Sequence, residues 1–453
     1  MAARGREVPV TIRAGLPCLQ GGPMKPNEPT LLRAPNWRLM RMLLALLAVF
    51  ALVAAACGGD DDEDTTGGDS ADEPADEPAE APTGEPIKVM SVTTLNAAGP
   101  TYHNIANTAE AYASYINARG GIAGRPLEVT VCDEMFDPAV AATCARDAVE
   151  GDMVAVVGSF TFFAESIVPV IAEADITWFG PCCPITPSEL TSPHSFPIGN
   201  QPMYGVGAVQ KAVDDGCTSI NLVLIDGAQI FQTPMDNAMA ALGMSFGDVI
   251  ILPPTAQDYS AEVAQATTDA DCVIGIVSET PYITWNTAWT QSGTDARQYG
   301  PQGNLNEISA AGNEESTDGD IIAGMYPDIS TEPWAEYRLA LEEGDYDLAE
   351  HDYNSLGGLG TWAAYAAFAQ IAETIEGEIT ASSFFEAASA TDNLDLGGMV
   401  PVLDFTQEWT DGLEGYQRLF NRSVVFSILD NGKVVPLTTE FTDVSDLATG
   451  KAG

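Results

Sequence analysis

The chain has 453 residues, with 65 acidic side chains against 18 lysines and arginines and a formal net charge of −47. So negative a surface repels nucleic-acid phosphates and anionic lipid headgroups, which argues against both as partners and biases a binding site toward neutral or cationic solutes. A salt- or acid-adapted organism would produce the same composition. The three histidines (His103, His194, His351) are scattered and the eight cysteines form no CxxC pair, so a zinc site is not expected and no metal or other cofactor is implied.

In chain order, the first feature is an apolar run of 14 residues from Leu43 to Ala56, preceded by Arg38 and Arg41. It is shorter than the roughly 20 residues a spanning helix needs, and has the length and flanks of a signal-peptide core. The run ends on Cys57, and small residues ahead of a cysteine resemble a bacterial lipobox, with Ala54 standing where Leu is usual. Residues 1–56 are therefore read as an export signal, with translation starting at Met24, Met40 or Met42. Cys57 becomes the lipid-bearing first residue of a protein held extracytoplasmically, on the outer face of the cytoplasmic membrane. Residues 57–86 then form a tether. From Gly58 to Pro86 the chain holds 12 acids, no Lys or Arg, and little else but Gly, Pro, Ala, Ser and Thr. It lacks the apolar surface to fold, and its acids lack the spacing of a calcium loop.

Beyond Ile87 there remain 51 acidic and 11 basic residues, in a length that suits two domains. Apolar strand-like runs at 87–92, 126–132, 153–157 and 176–180 alternate with helical patterns at 103–118, 137–150 and 163–174. The pattern restarts with strands at 219–225, 247–251, 271–277 and 307–311 and helices at 203–215, 231–242, 260–269 and 281–293. Such alternation marks parallel, doubly wound sheets. Helices follow at 332–343, 354–376 and 381–390, then strand-like segments at 399–404 and 422–437, the latter turning at Asp430, Asn431 and Gly432. The fold class expected is α/β, two doubly wound parallel-sheet lobes joined by a three-strand hinge. The first lobe takes 87–198 and 328–402, the second 199–327 and 403–445. The crossings fall near 196–202, 325–330 and 400–406.

Residues 115–129 (YINARGGIAGRPLEV), 132–134 (CDE), 137–142 (DPAVAA), 154–159 (VAVVGS) and 419–426 (LFNRSVVF) resemble, in that order, segments of leucine/isoleucine/valine-binding proteins of the type I periplasmic binding fold. The resemblance extends from Ile87 to about Thr439. It implies a substrate-binding subunit of an ABC importer, often for branched-chain or other amino acids, sometimes for amides or aromatic acids. The partners expected are a small ligand, a permease and, through the lipid on Cys57, the membrane, and the protein is expected to be a monomer. Ligands in open parallel sheets bind beyond the carboxyl ends of the strands, where helix N-termini suit a carboxylate. The loops at those ends supply the candidates: Thr94 and Tyr102; Ser159, Phe160 and Thr161; Cys182 and Cys183; Gln229 and Phe231; Ser278, Glu279 and Tyr282; and Glu314. By position in the family, Ser159 and Thr161 would hold an α-carboxylate and Glu314 an α-ammonium. Phe160, Phe162, Phe163 and the cysteine pair depart from the family's small polar loops and point to a larger or more apolar ligand.

An oxidising compartment would pair the cysteines. Cys132 at a strand end and Cys144 in the next helix suit a local bridge. Cys217 and Cys272 lie at the starts of strands that are neighbours in a 2-1-3 order. Cys182 and Cys183 are left as a vicinal disulfide or two buried thiols. The function expected is solute capture for import, of an amino-acid-like or an apolar or aromatic carboxylate ligand. The alternatives are a ligand sensor signalling to a membrane partner and, remotely, a secreted α/β enzyme. Against the enzyme, the sequence has no GxSxG, P-loop, HExxH or GxGxxG after a strand.

Overall fold

A computed structural model describes residues 81–97, 100–347 and 351–451. The segment expected to be an export signal, Cys57 and most of the expected tether lie outside the described residues. Within them, no helix is long and apolar enough to cross a membrane.

The first sheet contains β1 (Ile87–Thr93), β2 (Leu127–Asp133), β3 (Ala155–Val157), β4 (Thr177–Phe179) and β5 (Ser195–Phe196). All run parallel, in the order β2-β1-β3-β4-β5. β1 is central: Val89 faces Val129 on one side and Ala155 on the other. Six of its seven residues are buried, as a strand covered on both faces requires. Helix Pro138–Glu150 starts where expected because Asp137 accepts the Ala139 and Val140 N–H groups and Pro138 needs no donor. The expected Cys132–Cys144 bridge ties that helix to the end of β2.

The second sheet contains β6 (Ile220–Ile225), β7 (Val249–Leu252), β8 (Cys272–Ile276), β9 (Arg297–Pro301), β10 (Ile321–Gly324), β11 (Ser423–Asp430) and β12 (Lys433–Pro436), in the order β12-β11-β10-β9-β8-β6-β7. β6 to β10 pair in parallel, and β11 and β12 add antiparallel at one edge. A short β13 (Thr442–Asp443) also pairs with β11. β6 and β8 are neighbours, Ile220 lying opposite Cys272, and Cys217 bridges to Cys272 as expected. The hairpin between β11 and β12 turns on Asn431 (φ 49°) and Gly432 (φ 75°), the paired positive φ of a type I′ turn.

Four sequence expectations need correction. Residues 307–311 are not a strand: Glu307–Ala310 is a helical turn, capped reciprocally by Asn306 and Ser309. A short apolar run carries too little periodicity to separate the two states, and the strands in that part of the sheet are β9 and β10. The helix expected over 163–174 is broken into a 3₁₀ turn, Ala164–Ser166, and a short helix, Val168–Ala172, where Pro169 lacks an N–H and restrains its predecessor. Residues 399–404 form only an isolated bridge between Leu394 and Leu403. Finally, the segment after Leu403 stays with the first sheet: Phe405 packs 6.1 Å from Phe179 and 5.4 Å from Phe196, and Arg418 N–H bonds Leu190 O at 2.9 Å. The third crossing therefore falls at Asn421, where the chain leaves for β11. There Asn421 Nδ2 donates to Ile198 O at 3.0 Å and Asn200 Nδ2 to Asn421 Oδ1 at 3.2 Å. Asn200 N–H meets Met325 Sδ at 3.2 Å, so buried polar contacts tie all three crossings together.

Candidate functional site

The carboxyl ends of both sheets open on one cavity of about 640 Å³. From the first sheet, Tyr102 follows β1, Phe160 and Phe162 follow β3, and Cys182 and Cys183 follow β4. From the second, Ser278, Glu279 and Thr280 follow β8, while Gly303, Asn304 and Ile308 follow β9. The segment from His351 to Gly357 closes one side, and it leads into helix Leu356–Ala372. An adjoining cavity of about 500 Å³ shares Gly303, Ile308, His351 and Asp352.

Helix Leu356–Ala372 is buried almost all round. Thr361 Oγ1 donates to Gly158 O at 2.8 Å, and Tyr365 OH and Ser91 Oγ share a 2.8 Å bond, which fixes the helix against β1 and β3. Ser355 caps it by accepting Gly358 N–H. Its N-terminus and that of helix Glu279–Ser292 both open on the cavity, where first-turn N–H groups lack intrahelical acceptors and favour an anion.

The aromatic wall is continuous. Tyr102 meets Phe160 edge-to-face at 4.9 Å, and Phe160 meets Phe162 at 5.3 Å. His103 stacks on His351 at 5.3 Å beside it. Among the described residues, neither cavity is lined by a lysine or arginine. Glu279 accepts from Asn306 Nδ2 at 2.6 Å. Asp352 Oδ1 accepts Asn354 N–H at 2.9 Å. Burial, followed by the charges of Glu279, Glu307 and Asp328, pushes the Asp352 carboxyl up to about 6. The neighbouring Asp328 and Glu307 have partners of their own: Asp328 accepts from Ser330 and Asn354, and Glu307 accepts from Lys433.

Six residues expected from the sequence meet at the cavity: Tyr102, Phe160, Cys182, Cys183, Ser278 and Glu279. Seven do not line it. Ser159 is buried and its Oγ accepts Val92 N–H at 2.9 Å. Thr161 is buried with its hydroxyl accepting Phe163 N–H at 3.0 Å. Thr94 donates to Glu134, whose buried carboxyl is raised by desolvation and lowered in part by Thr94 and Thr161. The hydroxyls expected to meet a ligand's carboxylate thus serve the chain's own carboxyl or backbone. Tyr282 is buried and donates to Gly275 O at 3.0 Å, and Phe231 packs on Tyr204 at 5.6 Å. Gln229 is exposed and engaged with Gly227 and Asp226. Glu314 is exposed, accepts Gly312 N–H at 2.8 Å and lies beside Gly432 in the hairpin turn. The sequence reading missed His103, Asn304, His351 and Asp352. Asp352 sits three residues before a helix cap and carries no local signal; only the return of this segment to the first sheet brings it to the cavity. Cys182 and Cys183 lie with their sulfurs 2.7 Å apart and unbonded.

A cavity between the carboxyl ends of two mostly parallel sheets, joined by three crossings, defines a two-lobed binding protein. Residues 87–420 match the periplasmic binding protein family, and the chain belongs to it. Solved structures sharing the fold include a possible leucine/isoleucine/valine-binding protein from Rhodopirellula baltica, with TM-score 0.64 and 16% identity over 78% of this chain and 97% of that one. A fatty acid ABC transporter substrate-binding protein from Thermomonospora curvata has TM-score 0.63 and 16% identity over 82% and 96%. An ABC transporter solute-binding protein from R. palustris in complex with 4-hydroxybenzoate has TM-score 0.62 and 15% identity over 80% and 98%. No curated protein matches the chain by sequence.

Proposed function

We propose that the chain is the solute-binding subunit of an ABC importer, tethered by a lipid on Cys57, and that it captures an amino-acid-like ligand with an apolar or aromatic side chain. The observation that carries the ligand class is Asp352 with Glu279 on a cavity that has an aromatic wall and, among the described residues, no lysine or arginine. An ammonium group placed there would relieve the repulsion between the two carboxylates. Tyr102, Phe160 and Phe162 would take the side chain, and the helix N-termini at Glu279 and Leu356 a carboxylate. Closing the cavity around such a ligand is the hinge motion that three crossings allow, and a tether keeps the loaded protein near its permease.

Calorimetric titration with L-phenylalanine, phenethylamine and 3-phenylpropionate tests this reading. Phenylalanine should bind most tightly, phenethylamine more weakly, and 3-phenylpropionate, which lacks the ammonium, not at all. Binding of 3-phenylpropionate as tight as that of phenylalanine, or failure of all three, overturns the ligand class.

A further inference from the structure

Among the described residues, four of the six cysteines are paired in two disulfides, and Cys182 and Cys183 are the remaining two. They lie in the loop after β4, between Pro181 and Pro184, and form part of the cavity's surface. Their sulfurs are 2.7 Å apart, well inside nonbonded contact and outside the covalent length of about 2.05 Å. We infer that Cys182 and Cys183 close into a vicinal disulfide that forms the floor of the ligand cavity.

The backbone around the pair is held on both sides. Cys182 N–H donates to Ser159 O at 3.3 Å, and its carbonyl accepts from Tyr326 OH at 3.2 Å. Helix Leu356–Ala372 presses so close that a Cβ on Gly360 would stand 2.6 Å from Cys182 Cβ. On the other side, a Cβ on Gly199 would stand 2.1 Å from Cys182 O. Two prolines flanking the pair restrict φ at both ends of the turn. The loop is thus held with both sulfurs on one side, 1% and 6% exposed at the residue level.

The burial also says when the bond forms. In the folded protein desolvation, followed by the neighbouring Cys183 and the Glu189 charge, pushes the Cys182 thiol up. A protonated, enclosed thiol exchanges slowly because the thiolate is the attacking species. The ring therefore closes during folding outside the cytoplasm, as the two other bridges do. One cysteine thiolate attacks the exchangeable disulfide of an extracytoplasmic thiol oxidoreductase, giving a mixed disulfide and one free thiol on the oxidoreductase. The second cysteine then displaces the other oxidoreductase sulfur. The two cysteines are oxidised to one disulfide, the oxidoreductase disulfide is reduced to two thiols, and the two protons end on those thiols.

The bond does not depend on which ligand the cavity takes, and it is tested without any ligand. The full chain, exported by its own signal, is denatured without reductant, treated with iodoacetamide, digested and analysed by mass spectrometry. The peptide holding Cys182 and Cys183 should carry no alkyl group, weigh two hydrogens less than the dithiol, and gain two alkyl groups only after reduction. Two alkyl groups before reduction overturn the inference. So does a link from either cysteine to Cys132, Cys144, Cys217 or Cys272. In a Cys182→Ser/Cys183→Ser variant the peptides holding Cys132, Cys144, Cys217 and Cys272 should keep both bridges and remain free of label, showing that the floor pair does not exchange with them. If that variant loses either bridge, the three disulfides are not independent and the vicinal assignment falls.

Discussion

On the first-sheet side of the cavity the loops end in Tyr102, Phe160, Phe162 and the cysteine pair, whereas the second-sheet side offers Ser278, Glu279, Thr280 and Asn304. Asp352 reaches the cavity from the segment that has crossed back to the first sheet. One wall is apolar and polarizable; the other is polar and acidic. A ligand seated on the aromatic wall alone would have its charged group met by Asp352 but not by Glu279. On the proposed reading, a contact with Glu279 would come from the opposite wall and would favour the arrangement in which both walls touch the ligand. In such a protein closure is driven by contacts that differ between the two states.

The largest effect that would break this comparison is loss of the Asp352 charge. Asp352→Asn should weaken phenylalanine binding roughly ten- to a hundredfold, the range of a hydrogen bond to a charged group, measured by titration calorimetry at pH 7.5. In the wild type the same loss should appear as the pH falls through about 6, where burial and neighbouring carboxylates place the Asp352 transition. The stability effect has the opposite sense. Because the folded value is raised above the unfolded one, near 4, protonated Asp352 favours the folded state. That contribution is fully present below about pH 4 and is lost as pH rises through about 6. Asp352→Asn should therefore make the ligand-free protein more stable at pH 7.5 and reduce the pH dependence of its urea midpoint between pH 4.5 and 7.5, the remainder coming from buried Glu189, which burial pushes up to about 7. A variant that loses both affinity and stability would assign Asp352 to the scaffold instead of the ligand.

Ser159→Ala should separate the buried hydroxyl layer from the cavity itself. The substitution leaves the buried Val92 N–H without its acceptor, at a cost of about 1–3 kcal/mol, readable as a lower urea midpoint. Phenylalanine affinity should stay unchanged. A parallel loss of affinity would return Ser159 to the carboxylate-binding role that its position in the family implies.

These contrasts also mark what could be read from the sequence. β1, β2, the helix over 103–118 and the β11–β12 hairpin were legible because strong period and turn signals act locally. β9 and β10 were not, since RQYGP and IIAG are too short and too mixed to show alternation. In the cavity the loops after β1, β3, β4 and β8 were found from strand ends alone. Within each loop, the sequence could not say which side chain turns inward: Phe160 lines the cavity while Ser159 and Thr161 beside it face the interior. Glu134 was invisible as the internal partner of Thr94 because that contact joins residues 40 apart in sequence. The return of 328–402 to the first lobe was expected, but nothing local in the sequence marks Asp352 as the residue of that segment that reaches the cavity.

A smaller effect should come from the rim of the aromatic wall. Phe162 is 45% exposed, so Phe162→Ala should change the melting midpoint little, within about 0.5 kcal/mol. Because its ring would pack on the ligand's aromatic side chain, phenethylamine affinity should fall about two- to tenfold, the range of an aromatic pair worth about 0.5–1.5 kcal/mol. No change in affinity would confine the aromatic contribution to Tyr102 and Phe160.

The smallest effect expected is none. Glu314 carries the charge that the family's pattern assigns to an α-ammonium, yet it sits on the second sheet beside the β11–β12 turn. Its carboxyl is held below the usual range by the Gly312 and its own backbone N–H groups, a local turn interaction that needs no ligand. A Cβ on Gly432 would stand 2.5 Å from Glu314 Cγ, which places the side chain against the hairpin. Glu314→Ala should therefore leave the phenylalanine dissociation constant and its pH dependence unchanged by calorimetry, with Asp352→Asn measured alongside as the positive control. A tenfold loss at Glu314 with none at Asp352 would move the ammonium site to the second sheet and exchange the roles of the two carboxylates.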